Sequence, residues 1–372
     1  MELPTYFKDF LKEIRLTDNQ VSELKQGHEL LRDRLKEFKD LSPIIVSTFL
    51  QGSYRRATAV RPKSGLRSDV DIIVVTKLSE DEYTPQDALD LFIPFLDKYY
   101  KGKYEMQGRS IGISMSHVDL DIVPTSAPSE SEIGILESDS VRTDSTIEDT
   151  DDWELKKSWV SLEMRSLYKT AILSEAAKSE PEWKLEPLKI PDCEAEKWKP
   201  THPLAQLKET RDKNKLCNKH YVNVVKALKW WRKLNPEPKY PKSYPLEHFI
   251  WTCCPDGINS VAEGITKTLE TIVSDYPAKP ELPDHGVPEH DVFSRITDEE
   301  YEEFYELVSG AAIIARRALD ADNIADSANA WRELLGTKFP EPPESKKDKS
   351  NAATGGFTPR TESTLLGGNR FA

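Results

Sequence analysis

The stretch Gln51-Gly52-Ser53-Tyr54-Arg55-Arg56, followed by Ser68-Asp69-Val70-Asp71, decides the fold. Gly52-Ser53 directly follows Ile44 to Leu50, a short β-branched apolar run that predicts a strand. Glycine there lets the backbone approach a ligand and turn N–H groups toward an anion, and the Ser53 hydroxyl adds a donor. Val70 to Thr76 predicts a second strand, almost wholly apolar after Asp71. Asp69 and Asp71 stand at its start with one residue between them, so both carboxylates project from one face. Two such charges repel unless a cation lies between them. Mg²⁺ suits the pair, because it takes oxygen ligands and keeps positions for water and substrate phosphate.

Working outward, Val118-Asp119-Leu120-Asp121-Ile122-Val123 alternates strictly. Its apolar residues fix one face in a core and send Asp119 and Asp121 to the other. Tyr104 to Gln107 and Ile111 to Ser116 predict further strands, and Pro124 predicts the stop of the Val118 strand. Pro85 to Tyr100 reads as helix. Thr17-x-x-Gln20 is a capping box, after which Val21, Leu24, Leu31, Leu35 and Phe38 recur at helical spacing to about Lys39. Strands mixed with helices give an α/β first lobe, expected over residues 1–200 with the long helix as its spine.

Beyond that point the pattern turns helical: His220 to Leu234, Leu246 to Cys253, Val261 to Tyr276, Asp298 to Ala321 and Asp326 to Leu335. A helical second lobe is expected over 201–339. Ser126 to Thr150 is acidic, serine-rich and poor in large apolar residues, which predicts an exposed insertion, and Asp192 to Pro203 reads as irregular. Residues 340–372 predict a disordered tail.

Composition narrows the function classes. The 372 residues carry a formal net charge of −13, which argues against a broad surface that neutralises duplex phosphates. Cys193, Cys217, Cys253 and Cys254 have no C-x-x-C spacing, the pattern of ordinary reduced thiols. Met-Glu-Leu-Pro-Thr at the start has neither the basic nor the apolar region of a signal peptide, and no apolar run approaches the roughly 20 residues of a membrane helix. A cytoplasmic protein that binds neither membrane nor template nucleic acid is expected.

Gly-Ser, then Asp-x-Asp, then an Asp followed by two apolar residues and Pro resembles the polymerase-β-like nucleotidyltransferase superfamily. Within it the whole chain is similar to the bacterial cGAS/DncV-like nucleotidyltransferases, closest to their clade D, which serve anti-phage signalling. The resemblance implies a polymerase-β-like α/β core with a helical, oligoadenylate-synthase-like C-terminal lobe and the active site between them. It implies that Asp121, ahead of Ile122-Val123-Pro124, is the third metal ligand beside Asp69 and Asp71, with Asp119 an extra acid. Two Mg²⁺ ions would then serve the transfer. Val224-Val225-Lys226-Ala227-Leu228-Lys229 resembles the helix whose lysine reaches the triphosphate, which assigns Lys229 to that task and Lys226 to a basic position one turn earlier. Ser243-Tyr244-Pro245-Leu246-Glu247 resembles the segment whose tyrosine stacks on a base. The cationic run Arg55, Arg56, Arg61, Lys63 and Arg67 is left between embracing triphosphate and shielding the acids.

Cyclisation rests on the resemblance alone: a cyclic trinucleotide built mainly from ATP, with GTP as a second substrate, that activates an effector. The motifs by themselves also admit a template-independent enzyme that makes linear oligoadenylate or modifies RNA, and a non-catalytic protein that kept the fold. The last residues, Gly367-Gly368-Asn369-Arg370-Phe371-Ala372, resemble tails that a ubiquitin-activating-like ligase joins to a target amine, which makes Ala372 the expected conjugated residue.

Overall fold

Alternation on the two acid-bearing strands sets the architecture of the computed structural model, which describes residues 1–63, 66–116, 118–128 and 186–343. The strands are β1 (Ile45–Gln51), β2 (Ser68–Thr76), β3 (Tyr104–Met106), β4 (Ile111–Ser114), β5 (Val118–Thr125), β6 (Leu188–Asp192) and β7 (Lys197–Thr201). Among the described residues, the first five form one mixed sheet in the order β1-β2-β5-β4-β3. β2 and β5 run parallel at its centre, and the other neighbours are antiparallel. Val70, Ile72 and Val74 bury against one side of the sheet with Val118, Leu120 and Ile122, as the alternation predicts. Ile73, Val75 and Val123 fill the opposite side, and at the mouth of that side stand Asp69, Asp71, Asp119 and Asp121.

The helices of the first lobe are α2 (Asp18–Glu37), α3 (Gly52–Arg55), α4 (Pro85–Asp90) and α5 (Ile93–Tyr99). α2 begins with the expected capping box of Thr17 and Gln20 and buries Leu24, Leu31 and Leu35 against the sheet. The single helix expected over Pro85 to Tyr100 is two, because Pro94 lacks the N–H a continuous helix would need and opens α5 instead. β5 runs through Pro124 rather than stopping there. β4 leaves β5 at Ile122, so on that side no partner asks Pro124 for an N–H.

The second lobe contains α6 (Pro203–Leu216), α7 (Tyr221–Leu234), α8 (Ser243–Cys253), α9 (Val261–Asp275), α10 (Asp298–Asp320) and α11 (Ile324–Leu335). α7 is its central helix, buried along nearly its whole length. The segment expected to be irregular, Asp192 to Pro203, instead contributes to the β6–β7 hairpin, and α6 follows it.

At the N-terminus the cores divide the chain differently from the expected 1–200 lobe. Helix α1 (Pro4–Ile14) carries Phe7, Phe10, Leu11 and Ile14 on one face. That face packs into the second lobe's core with Trp331 and Phe339, the ring of Phe7 lying 5.0 Å from Trp331 and 5.1 Å from Phe339. The expected insertion and tail lie outside the described residues from 129 and 344 onward, and so does Ala372. Among the described residues no helix is long and apolar enough to cross a membrane.

Candidate active site

β1 and β2 pair antiparallel so that Gln51 stands opposite Asp71, which brings the turn after β1 against the acids of β2. Gly52 has φ +74°, and a Cβ there would lie 1.8 Å from Asp71 Oδ2. Only glycine lets the chain turn while the carboxylate keeps its place. The parallel register then sets Asp69 beside Asp119 and Asp71 beside Asp121. On the far side of β5, Gly112 stands opposite Asp121, and a Cβ there would meet Asp121 Oδ1 at 3.3 Å and Gln107 at 2.7 Å.

Electrostatics separates these four acids. Burial, with Asp69 next in effect, pushes the Asp71 carboxyl up to about 6, and Arg56 opposes the rise. Burial, then Asp71, Asp69 and Asp119, pushes Asp121 up to about 7. Asp119 is half-buried and pairs with Arg67 at 3.1 Å. Asp69, Asp71 and Asp121 are therefore held together at a cost that a divalent cation would remove. Among the described residues, no three His, Cys, Asp or Glu side chains form a ready-made metal cage.

Asp69 and Asp71 open on a cleft of about 770 Å³ between the lobes, whose lining does not include Asp121 behind them. Gly52, Ser53, Asp69 and Asp71 line one side, and Ser243 and Tyr244 from α8 line another. The volume lies within the roughly 300–1,000 Å³ usual for small-molecule sites. Tyr244 donates its hydroxyl to Asp284 at 2.8 Å, and the Arg56 guanidinium lies 5.2 Å from its ring centre.

The lysines assigned by resemblance are placed otherwise. Lys226 is fully buried and does not line the cleft, which corrects its assignment to substrate. Its helix is covered on all sides, so a polar position on it is not a solvent-facing one. Lys229 is also buried and does not line the cleft; its amino group pairs with Glu247 at 2.6 Å.

Glu247 was not assigned from sequence, although it ends the quoted Ser243–Glu247 segment. It is buried and also accepts from Thr58 Oγ1 at 2.7 Å, from the Arg56 guanidinium at 3.2 Å and, at 3.4 Å, from Ser243. One carboxylate thereby ties the strand-turn of the first lobe to two helices of the second. Of the cationic run, Arg56 alone lines the cleft. Arg55 is buried and donates to the Leu50 carbonyl at 2.9 Å, and Arg61 donates to the Arg15 carbonyl at 2.9 Å. Arg109, Lys199, Gln206, Asp284 and Arg295 also line the cleft, and no sequence periodicity marks them because they come from turns, the hairpin and α6.

Substituting Gly52 with Ala gives a direct check of this packing. A hundredfold or greater loss of kcat is expected, since displacing a reacting group by about 1 Å can cost that much. Gly102→Ala is the control: Gly102 has φ +72° but open space where its Cβ would stand, so it should lose stability without losing turnover. Equal turnover in the two variants would show that the turn does not set Asp71.

A mixed sheet with a strand-turn beside paired carboxylates, and a helical lobe closing a cleft over them, is the fold of a nucleotidyltransferase. Residues 1–141 match the Second Messenger Oligonucleotide or Dinucleotide Synthetase domain. The chain is 49% identical over 372 residues to the cyclic AMP-AMP-GMP synthase of Enterobacter hormaechei subsp. hoffmannii (strain UCI 50), covering 96% of each chain. It is 29% identical over 355 residues to the cyclic AMP-AMP-AMP synthase of an Acinetobacter species (strain ATCC 27244 / 9458), covering 92% of this chain and 87% of that one. The solved structure of E. coli MS115-1 CdnC with ATP shares the fold, with a TM-score of 0.62 at 17% identity over 91% of this chain and 100% of that one. The chain belongs to the cGAS/DncV-like nucleotidyltransferases and is an enzyme of that class.

Proposed function

We propose that this enzyme joins ATP and GTP into a cyclic trinucleotide, with two Mg²⁺ ions held by Asp69, Asp71 and Asp121, and that the product is a second messenger in anti-phage defence. The observation that carries the chemistry is the register that sets Asp121 beside Asp71, which lines the cleft one turn from Gly52-Ser53. Support for the ring and its bases comes from the 49% identical relative, named as a cyclic AMP-AMP-GMP synthase.

Mg²⁺ at these carboxylates would acidify the acceptor's ribose hydroxyl and neutralise the leaving pyrophosphate. Asp69 and Asp71 would hold the cation that neutralises the donor's α-phosphate, and Gly52-Ser53 would steady the phosphates beyond it. The acceptor oxygen attacks the α-phosphorus, the bond to the β-phosphate oxygen breaks, and the hydroxyl proton leaves to solvent. Tyr244, fixed by Asp284 and Arg56, offers a ring for a nucleobase.

The test is to incubate the protein with α-labelled ATP and GTP and Mg²⁺, then treat the products with phosphatase. A product with as many phosphates as nucleosides, containing both bases and unchanged in mass by phosphatase, supports the reading. A product that loses its 5′ phosphates to phosphatase and keeps label only in its internal linkages would favour the linear oligonucleotide instead, and wholly phosphatase-sensitive label would mean that no phosphodiester formed.

A further inference from the structure

Ala57 holds a backbone conformation that its side chain disfavours. Its φ is +58°, in the left-handed region that strains any residue with a Cβ, and it stands two residues beyond α3. Such strain persists only where the surroundings over-determine it. Here the surroundings are the second lobe. Ala57 and Val60 belong by sequence to the first lobe, yet both are buried in the core of the second.

The two residues that flank Ala57 are gripped by one buried carboxylate. Glu247 Oε2 accepts from Thr58 Oγ1 at 2.7 Å and from the Arg56 guanidinium at 3.3 and 3.2 Å. Its other oxygen accepts from Lys229 of α7 at 2.6 Å, so the acceptor is itself fixed. One turn further along α7, Lys233 donates to the carbonyls of Val60 and Arg61 at 3.3 and 3.0 Å. Residues 56–61 are therefore a strap clamped by α7 and α8.

The strap reaches back to the turn that faces the acids. The Arg56 N–H donates to the Gly52 carbonyl at 3.2 Å, and the N–H groups of Thr58 and Ala59 donate to the Ser53 carbonyl at 2.9 and 3.1 Å. These bonds lie on both sides of Ala57. Were Ala57 to relax to an ordinary negative φ, Arg56 and Thr58 would lose the relation that lets both keep their carbonyls. α3 spans only Gly52–Arg55, too short to hold its shape alone.

We infer that Glu247 is a positioning residue for the transfer: by gripping Arg56 and Thr58 it keeps Ala57 at positive φ and so fixes the Gly52-Ser53 turn against the acids. This rests on the proposed role of that turn in steadying the donor's phosphates, and adds the residue of the second lobe that sets it. Glu247 itself does not line the cleft, so it acts through the strap rather than on substrate. Ser243 and Tyr244 stand one turn before it on α8, so a single helix sets both the platform for a base and the turn for the phosphates.

The experiment lets glycine supply what Glu247 enforces. Glycine adopts positive φ without a Cβ penalty, so Ala57→Gly should make the turn less dependent on its grip. The kcat for pyrophosphate release from ATP and GTP with Mg²⁺ is measured for Glu247→Gln and Thr58→Val. Each is made with Ala57 kept and with Ala57→Gly, and all are assayed at a temperature where circular dichroism shows them folded. With Ala57 kept, Glu247→Gln should lower kcat about hundredfold and Thr58→Val about tenfold. Adding Ala57→Gly should return about tenfold to each. The recovery should appear in kcat rather than in melting temperature, because Ala57→Gly also removes a buried methyl from the core. Thr58→Val keeps the side chain's shape and leaves both cations on Glu247, so it serves if Glu247→Gln does not fold.

A folded Glu247→Gln protein with the kcat of wild type would overturn the inference and leave the carboxylate as a tie between lobes. Losses that Ala57→Gly leaves untouched in both variants would overturn it too. With an active wild type these results bear on Glu247 alone. If wild type releases no pyrophosphate under Mg²⁺, the proposed reaction itself falls, and the inference with it.

Discussion

Asp71→Asn should abolish phosphodiester formation and, in metal-free buffer near neutral pH, raise the melting temperature. Both effects have one cause. The Asp71 carboxyl sits at about 6 in the folded protein against 3.8 for an ordinary aspartate. Between those values the folded protein keeps a proton that the unfolded chain has released, so stability falls as pH rises from about 4 to about 6. Asp121, raised to about 7, extends the same loss toward neutrality. At about 1.4 kcal/mol per pKa unit, removing the Asp71 charge should add on the order of 2–3 kcal/mol. Below about pH 4 the gain should vanish, because both states of wild type are then protonated.

Mg²⁺ should reverse the order, stabilising wild type by mass action and leaving the Asn variant unmoved. Melting curves at pH 4 and pH 7.5, with and without Mg²⁺, check each part. A variant less stable than wild type at pH 7.5 without metal would mean that Asp71 is held by partners rather than strained by neighbours.

The second large effect separates two acids on one strand. Asp121→Ala should lower kcat by about a thousandfold or more, whereas Asp119→Ala should stay within about threefold. Asp121 is part-buried, stands beside Asp71 and is raised by burial first and then by that neighbour. Asp119, two residues away on the same face, is also part-buried but is occupied by Arg67. Steady-state rates of the two variants at saturating nucleotide decide the matter. A dead Asp119 variant beside an active Asp121 variant would move the third ligand by one alternation of the strand.

How much of this was legible depended on whether a residue's task leaves a period in the sequence. The strands β1 and β2 were legible as short β-branched apolar runs and β5 by its strict alternation, and the two-residue spacing placed Asp69 and Asp71 on one face and Asp121 on the matching face of β5. The capping box at Thr17 marked the start of α2. The β6–β7 hairpin was not legible: Pro191 and Pro200 sit inside its strands, and proline argues against a strand unless the strand has a free edge, as both of these have within their two-stranded sheet. Helix α6 escaped notice because its apolar residues make only a faint stripe. Helix α1 did carry a signal, Phe7, Phe10, Leu11 and Ile14 at helical spacing, that the reading passed over.

The cleft shows the same division. Gly52, Ser53, Ser243 and Tyr244 were found by motif and do line it. Lys226 was misplaced because a resemblance gives a position along a helix, while burial depends on what covers that helix. Glu247, Arg109, Lys199 and Asp284 answer to one another across hundreds of residues or across turns, and only the fold brings them together.

The claim that three in-register carboxylates form the catalytic metal centre has one most direct test. It is a crystal structure with Mn²⁺ and α,β-methylene-ATP, with metal positions read from anomalous scattering. Two peaks are expected, both touching Asp69 and Asp71 and one also touching Asp121, with the nucleotide's phosphates reaching toward Gly52-Ser53. A nucleotide seated in the cleft with no peak at these carboxylates, or with its metal held elsewhere, would contradict it.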